Sequence, residues 1–117
     1  MKKEKIINEL KKIINSKNII SDSKELSIYN NDWRGFYNFK SICVIFPRNI
    51  KHIKEVINFC SKKNIKIVPQ AGNTSLTGAS VPSKNNYEII LNFKKMNKII
   101  SIDKDNLLVK VEPGVIL

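Results

Sequence analysis

The spacing of apolar residues predicts two amphipathic helices. In residues 2–17 the apolar side chains recur at the separations of one helical face, and lysines occupy the other face. A second apolar face follows Asn49 and consists of Ile50, Ile53, Val56, Ile57 and Cys60. Asn49 is suited to cap the start of this helix, and Asn64 is suited to end it in a left-handed conformation.

Apolar runs before and after the second helix predict strands. Residues 42–46 form an uninterrupted apolar run, which is typical of a strand covered on both faces, and residues 65–68 predict a second strand. Strand, helix and strand at this spacing predict a parallel βαβ unit with a right-handed crossover. Three further strands are predicted in a mostly antiparallel continuation, at residues 88–93, 98–102 and 107–112. The last of them alternates, which predicts one largely solvated face, and a turn is expected at residues 104–106. The predicted fold class is α+β.

Residues 1–40 are predicted to form a helical lead-in that precedes the sheet. They contain the first helix and a polar, irregular stretch with a short helix before Asn30. Four aromatic residues fall within residues 29–37, and we expect them to seal the lead-in against the core. Residues 41–117 are then expected to form a second, incomplete unit.

Between Pro69 and Pro82 lies a small, polar loop bounded by strand-like segments. Gly72 and Gly78 permit backbone torsions that other residues avoid, and a loop of this kind is able to turn several N–H groups toward one anion. The loop follows the carboxyl end of a predicted parallel strand, which is where ligands bind in open α/β sheets. Its glycine spacing fits neither the dinucleotide fingerprint nor the Walker loop. The candidate binding residues are Ala71, Gly72, Asn73, Thr74, Ser75, Leu76, Thr77 and Gly78.

The formal charge of +11 raises the alternative of a small polyanion-binding or RNA-binding module without catalysis. All but two of the basic residues, Arg34 and Arg48, are lysines spread along the chain, which favours a solvated basic surface over nucleic-acid recognition. Either arginine is able to bind a carboxylate, although Arg48 precedes a helix and fits a surface position better. Cys43 and Cys60 lack metal-site or redox spacing and are interpreted as core residues in a reducing compartment. With no secretion signal or membrane-length apolar run, we expect a cytoplasmic protein.

His52 is the only histidine, so a Ser-His-Asp site, a Cys-His site or a histidine-based zinc cluster within this chain is excluded. Neither a catalytic residue nor a metal ligand is predicted among the residues of the chain.

The string PQAGNTSLTGASVP, preceded by KIVPQ and followed by EIILNFKKMNKI, resembles the cofactor loop of FAD-dependent 2-hydroxyacid dehydrogenases. These proteins belong to the vanillyl-alcohol oxidase / p-cresol methylhydroxylase (PCMH) flavoprotein superfamily, and the D-2-hydroxyglutarate and D-lactate dehydrogenase branch is the most similar in type. Its loop typically reads PQGGNTG, so Ala71 and Ala79 replace glycines. If either position required a positive φ, alanine would cost about 1 kcal/mol.

The resemblance implies the amino-terminal half of a PCMH-type FAD-binding domain, with residues 41–117 as its first subdomain and the chain as an amino-terminal fragment. Backbone amides of the loop would hold the FAD diphosphate, and the Asn73 side chain would hold the loop or reach toward the flavin. Some members of the superfamily tether their flavin to a histidine in this loop, and because the loop has no histidine here, a non-covalent cofactor is expected.

The complete enzyme would oxidise a D-2-hydroxy acid and pass the electrons to an unidentified acceptor, with the substrate-binding and catalytic groups expected beyond Leu117. The chain alone is expected to be inactive and to bind FAD weakly or not at all. No nucleic-acid partner is expected, and the oligomeric state is not predicted.

Overall fold

A computed structural model of the protein describes residues 2–85 and 87–117. Within these residues the chain forms three α-helices, one short 3-10 helix and six strands. The helices are α1 (Lys3–Ile13), the 3-10 helix (Ser16–Asn18), α2 (Ser23–Asn30) and α3 (Ile50–Lys62). The strands are β1 (Ile19–Ile20), β2 (Val44–Ile45), β3 (Lys66–Gln70), β4 (Glu88–Asn92), β5 (Ile99–Asp103) and β6 (Leu108–Val111).

Four strands form one sheet in the order β1-β2-β4-β3. The strands β2, β4 and β3 are parallel, and Ile90 of β4 lies level with Val44 on one side and Val68 on the other. The short edge strand β1 pairs antiparallel with β2. A separate antiparallel hairpin consists of β5 and β6. The α+β fold class is confirmed.

The predicted parallel βαβ unit is present, with β2 and β3 parallel in one sheet and β4 lying between them. The prediction was wrong for β4, which is parallel rather than part of an antiparallel continuation. Every residue of β4 is buried, which suits the centre of a sheet covered on both faces. The strand β3 instead contains Pro69, whose missing N–H is tolerated at a sheet edge.

Alternate residues of the central strands face two separate cores. On one face Ile45 and Ile89 pack with Ile6 and Leu10 of α1 and with Val56 of α3. On the other face the core contains Val44, Phe46, Val68 and Ile90 together with Leu26 of α2. The sheet is therefore covered on both sides, and its strand ends are left to form a site.

The predicted ends of α3 are confirmed. The Asn49 side chain accepts a hydrogen bond from the His52 amide at 2.9 Å, and Asn64 has a φ of 52°. The predicted apolar face is narrower than expected. Its buried members are Val56 and Cys60, whereas Ile50 is 65% exposed and Ile57 is 45% exposed.

The hairpin of β5 and β6 is exposed on both faces, which corrects the expectation that only one face of the last strand would be solvated. The predicted turn is present, since the Asp103 carboxylate accepts the amides of Asp105 and Asn106. The alternation of apolar and polar residues predicted which side chains of the last strand share a face. No other described residues cover either face of the hairpin.

The aromatic stretch seals the lead-in only in part. Tyr29 packs edge-on against Phe46 with ring centroids 5.5 Å apart, and Tyr37 is half-buried. Trp33 and Phe36 are 63% and 72% exposed, so these two aromatics do not seal the lead-in against the core as expected. The ring of Phe36 instead lies under the guanidinium of Arg34, 4.6 Å from its centroid.

Candidate cofactor site

The loop that follows β3 lies at the edge of the sheet where the three parallel strands end. Gln70 is the last residue of β3 and is paired with Asn92, the last residue of β4. The loop thus begins at the carboxyl ends of adjacent parallel strands, the position at which ligands bind in open α/β sheets.

Consecutive backbone amides of this loop have no acceptor in the part of the chain that the structure describes. Among the described residues, no acceptor takes a hydrogen bond from the N–H groups of Gly72, Asn73, Thr74, Ser75 and Leu76. The next amides are engaged, since Thr77 and Ala79 both donate to the Ser75 hydroxyl at 3.3 Å. Unpaired backbone donors are rare unless water or a ligand satisfies them, so this row of donors is available to an anion.

A cleft of about 610 Å³ lies in front of the first part of the loop. Its lining includes Ala71, Gly72 and Thr74 of the loop, Lys94, Asn97 and Ile99, and the segment 114–117. The other predicted site residues, Asn73, Ser75, Leu76, Thr77 and Gly78, do not line this cleft. The structure therefore brings one end of the predicted set to the cleft and places the other end beside the lead-in.

Gly114 forms part of the opposite wall and was not predicted as a site residue. Its amide donates to the Met96 carbonyl oxygen at 2.8 Å. A Cβ atom at this position would lie 1.9 Å from the Phe93 carbonyl oxygen, so only glycine fits. The Pro-Gly pair at residues 113–114 was a local signal for such a close backbone approach.

A buried side-chain network holds the start of the loop. Gln70 is only 2% exposed, and its amide nitrogen donates to the carbonyl oxygens of Tyr29 at 2.9 Å and of Ser80 at 2.8 Å. Its amide oxygen accepts from Asn92 at 2.8 Å. Gln70 therefore joins the lead-in, both ends of the loop and the neighbouring strand, and sequence reasoning did not identify this role.

Asn73 holds the middle of the loop. Its side chain donates to the Asn31 carbonyl oxygen at 2.7 Å and accepts from the Ser80 hydroxyl at 2.8 Å. Its backbone has a φ of 54°, a left-handed conformation that asparagine tolerates better than most residues. Of the two roles expected for this side chain, these contacts correspond to holding the loop.

The glycine and alanine positions of the loop differ in strain. Gly78 has a φ of +77°, and a Cβ there would lie 3.0 Å from the Tyr37 ring. Ala71 and Ala79 are not among the described residues with positive φ, so the replacement of glycine at these positions carries no backbone strain. Gly72 is also outside the left-handed region, and a Cβ there would meet only Thr74, at 3.8 Å.

The remaining candidates for chemistry lie away from the loop. The side chain of His52, in the first turn of α3, accepts the Arg48 amide at 3.3 Å. Cys43 and Cys60 are buried and unpaired, and burial raises the pKa of both thiols to about 12. In the part of the chain that the structure describes, no group of three or more His, Cys, Asp or Glu residues is arranged to hold a metal ion.

Comparison with known proteins adds a family to this geometry. The family model described as "FAD binding domain" matches residues 41–117. The chain belongs to this FAD-binding domain family. The predicted resemblance is thereby confirmed, and FAD is its cofactor. The free amides and the open space around Gly72 fit this assignment, because a diphosphate requires several donors and a close approach to the backbone.

Two relatives and one solved structure illustrate how this FAD-binding chain compares with longer proteins. It is 34% identical over 113 residues to D-2-hydroxyglutarate dehydrogenase, mitochondrial, of Arabidopsis thaliana, covering 97% of the chain and 20% of that protein. It is 37% identical over 89 residues to glycolate oxidase subunit GlcD of Bacillus subtilis, covering 76% of the chain and 18% of that protein.

The fold is similar to that of p-cresol methylhydroxylase with bound substrate. The TM-score is 0.76 at 25% identity, and the match covers 96% of the chain and 22% of that structure. The PCMH-type fold predicted from the sequence is confirmed. The FAD-binding chain spans about one-fifth of the length of the curated relatives described above.

Among residues 2–85 and 87–117, no helix has both the length and the apolar character needed to cross a bilayer. The Arabidopsis relative is named as mitochondrial.

Proposed function

We propose that the chain is the FAD-binding part of an oxidoreductase and that the complete protein oxidises a D-2-hydroxy acid to the 2-oxo acid. The substrate would be of the 2-hydroxyglutarate, lactate or glycolate type, in line with relatives named as D-2-hydroxyglutarate dehydrogenase, putative D-lactate dehydrogenase and glycolate oxidase subunit. The observation that carries the proposal is the row of backbone amides of residues 72–76 that have no acceptor among the described residues, in a loop whose Gly72 and Thr74 line the cleft.

In this proposal the loop binds the FAD diphosphate through main-chain donors. The residues involved are Ala71, Gly72, Asn73, Thr74, Ser75, Leu76, Thr77 and Gly78. The Ser75 hydroxyl accepts two backbone amides, which leaves its own hydrogen to donate to Thr77 or to an anion. When bound, FAD supplies the hydride acceptor, and the chain contributes binding and orientation. The loop contains no histidine, which supports a non-covalent cofactor.

No residue of this chain is assigned to substrate binding or proton transfer. A boundary between a lead-in of residues 1–40 and the FAD-binding subdomain is also part of the proposal, and the family match beginning at residue 41 supports it. We further propose a cytoplasmic location, supported by two buried cysteines that remain unpaired.

The substrate proposal is tested with the FAD-loaded complete protein. Anaerobic mixing with D-2-hydroxyglutarate, D-lactate or glycolate, followed by visible absorbance, should show bleaching of the flavin with at least one of them. The L-isomers of the chiral acids are the matched controls and should leave the absorbance unchanged. Absence of bleaching with all three acids, or equal bleaching by both isomers of a chiral acid, would contradict the proposal.

A group of positive charges favours polyanion binding as the second candidate function. Lys95 and Arg48 both donate to the buried side-chain oxygen of Asn18, at 2.8 Å and 3.3 Å. Burial lowers the pKa of Lys95, and the nearby charges of Arg48, Lys94 and Lys17 lower it further. Among the described residues, no carboxylate forms an ion pair with any of these cations.

The second candidate predicts saturable, salt-dependent binding of a short single-stranded RNA to the chain. Lys95→Gln should weaken that binding severalfold, whereas Lys24→Gln, at an exposed position of α2, should not. Equal loss in both variants would indicate general attraction to a basic surface and would reject a dedicated site.

A further inference from the structure

Arg34 reaches from the lead-in to the candidate cofactor loop. It occupies a tight turn in which the Gly35 amide donates to the Asp32 carbonyl oxygen at 3.0 Å. From there its guanidinium Nη2 donates to the carbonyl oxygen of Leu76, 42 positions along the chain. The contact is between a side chain and the loop backbone, so it constrains the path of the loop whatever side chain stands at position 76.

Two groups hold the guanidinium in place. The Asp32 carboxylate, whose side chain is 0% exposed, lies 3.9 Å from Arg34 Nε. One carboxylate oxygen accepts the Tyr37 amide at 3.0 Å, whereas the other has no hydrogen-bond partner among the described residues. The guanidinium is thus the neighbouring charge that compensates this buried carboxylate, and the Phe36 ring lies against it at 4.6 Å.

The contact at Leu76 determines the orientation of one peptide unit of the loop. The carbonyl of Leu76 and the N–H of Thr77 belong to the same planar unit and point in opposite directions. Arg34 holds the oxygen, and the Ser75 hydroxyl accepts the N–H at 3.3 Å. This peptide is therefore fixed at both ends, immediately after the unengaged amides of residues 72–76.

We infer that Arg34 is a positioning residue for the FAD loop. Held by Asp32 and Phe36, it keeps the peptide between Leu76 and Thr77 in the orientation that leaves the preceding amides available to the diphosphate. The inference rests on the proposed FAD-binding role of this loop. It assigns no contact between Arg34 and FAD.

The first test needs no cofactor. Arg34→Ala should speed hydrogen exchange of the Thr77 and Ala79 amides, which donate to the Ser75 hydroxyl. NMR on the 117-residue chain measures this exchange, and core amides such as that of Ile90 should keep their protection. Unchanged exchange in the loop would overturn the inference even if the chain binds FAD. Exchange that rises throughout the sheet would assign Arg34 to general stability instead and would also overturn it.

The second test measures FAD affinity in the complete protein. Arg34→Ala should weaken binding about tenfold or more, since a charge-assisted hydrogen bond that orders the loop is lost. Added guanidinium ion, compared with the same concentration of sodium, should restore much of this affinity. Gly78→Ala is the control, because it perturbs the loop through its own backbone and should not be rescued by guanidinium.

The two tests separate the possible failures. If the wild-type complete protein binds no FAD, the proposed function fails, while the exchange measurement still decides whether Arg34 orders the loop. If FAD binds and Arg34→Ala binds it as tightly as wild type, or loses affinity without rescue by guanidinium, the positioning role of Arg34 is refuted and the proposed function stands.

Discussion

Replacing Gln70 by leucine tests whether a buried side-chain network fixes the start of the cofactor loop. The substitution keeps approximate size and removes all polar atoms at a position that is only 2% exposed. It leaves the carbonyl oxygens of Tyr29 and Ser80 and the side-chain amide of Asn92 without their partner. Each of these groups is constrained by the backbone or the sheet, so none relaxes easily to a new partner.

The expected cost follows from these contacts. Three lost hydrogen bonds at about 1 kcal/mol each total about 3 kcal/mol. Burying leucine in place of a polar amide returns about 1 kcal/mol. We therefore expect Gln70→Leu to lower the free energy of unfolding by about 2 kcal/mol, an approximately 30-fold rise in the unfolded-to-folded ratio.

Urea unfolding at neutral pH measures this change, with the slope of the transition as a check for two-state behaviour. Asn58→Leu on the exposed side of α3 is the matched control and should change stability by no more than about 0.5 kcal/mol. In a double-mutant cycle, Gln70→Leu and Asn92→Ala should be non-additive by about 1 kcal/mol. A Gln70→Leu variant as stable as wild type, or strictly additive effects, would refute the network as the anchor of the loop.

Two other predictions concern backbone strain and the thiols. Gly78→Ala should lower the free energy of unfolding by about 1–2 kcal/mol, because the φ of Gly78 is +77° and the Tyr37 ring would lie 3.0 Å from the new Cβ. Gly72→Ala should leave the stability in urea unchanged or slightly raised and should still weaken FAD binding in the complete protein. Equal stability losses in the two variants would contradict the assigned geometry. Cys43 and Cys60, with pKa values raised from 9.0 to about 12 by burial, should resist alkylation at pH 8 until the chain is unfolded. Because only the unfolded thiols ionise between pH 9 and about 12, the free energy of unfolding should fall as pH rises through that range, and a flat profile there would refute the burial effect.

The helices were predictable because their signals are local. Apolar spacing identified α1 and α3, and the side chains of Asn49 and Asn64 marked where α3 begins and ends. The position of β4 was not predictable in the same way, because the partner of a strand depends on residues far away in sequence. The proline in β3 was a usable sign of an edge strand, and the unbroken burial of β4 is what suits it to the centre.

For the candidate site, the loop was predictable from the sequence, whereas the side chains that anchor it were not. The residue types at 71–78 identified a loop able to expose its amides, and the amides of residues 72–76 have no acceptor among the described residues. The anchors were not predictable, since Gln70 contacts Tyr29, 41 positions away, and Arg34 contacts Leu76, 42 positions away. Polar contacts of this kind leave no periodic pattern, so only the folded chain identifies them.

The most direct test of the account is an amide-resolved NMR titration of the 117-residue chain with FAD, with riboflavin as the control that lacks the phosphates. Even weak binding shifts the resonances of amides at the contact. We predict saturable shifts concentrated in the amides of residues 72–76 with FAD and none there with riboflavin. Shifts centred elsewhere, or the same loop shifts with riboflavin, would contradict the claim that these backbone donors bind the diphosphate.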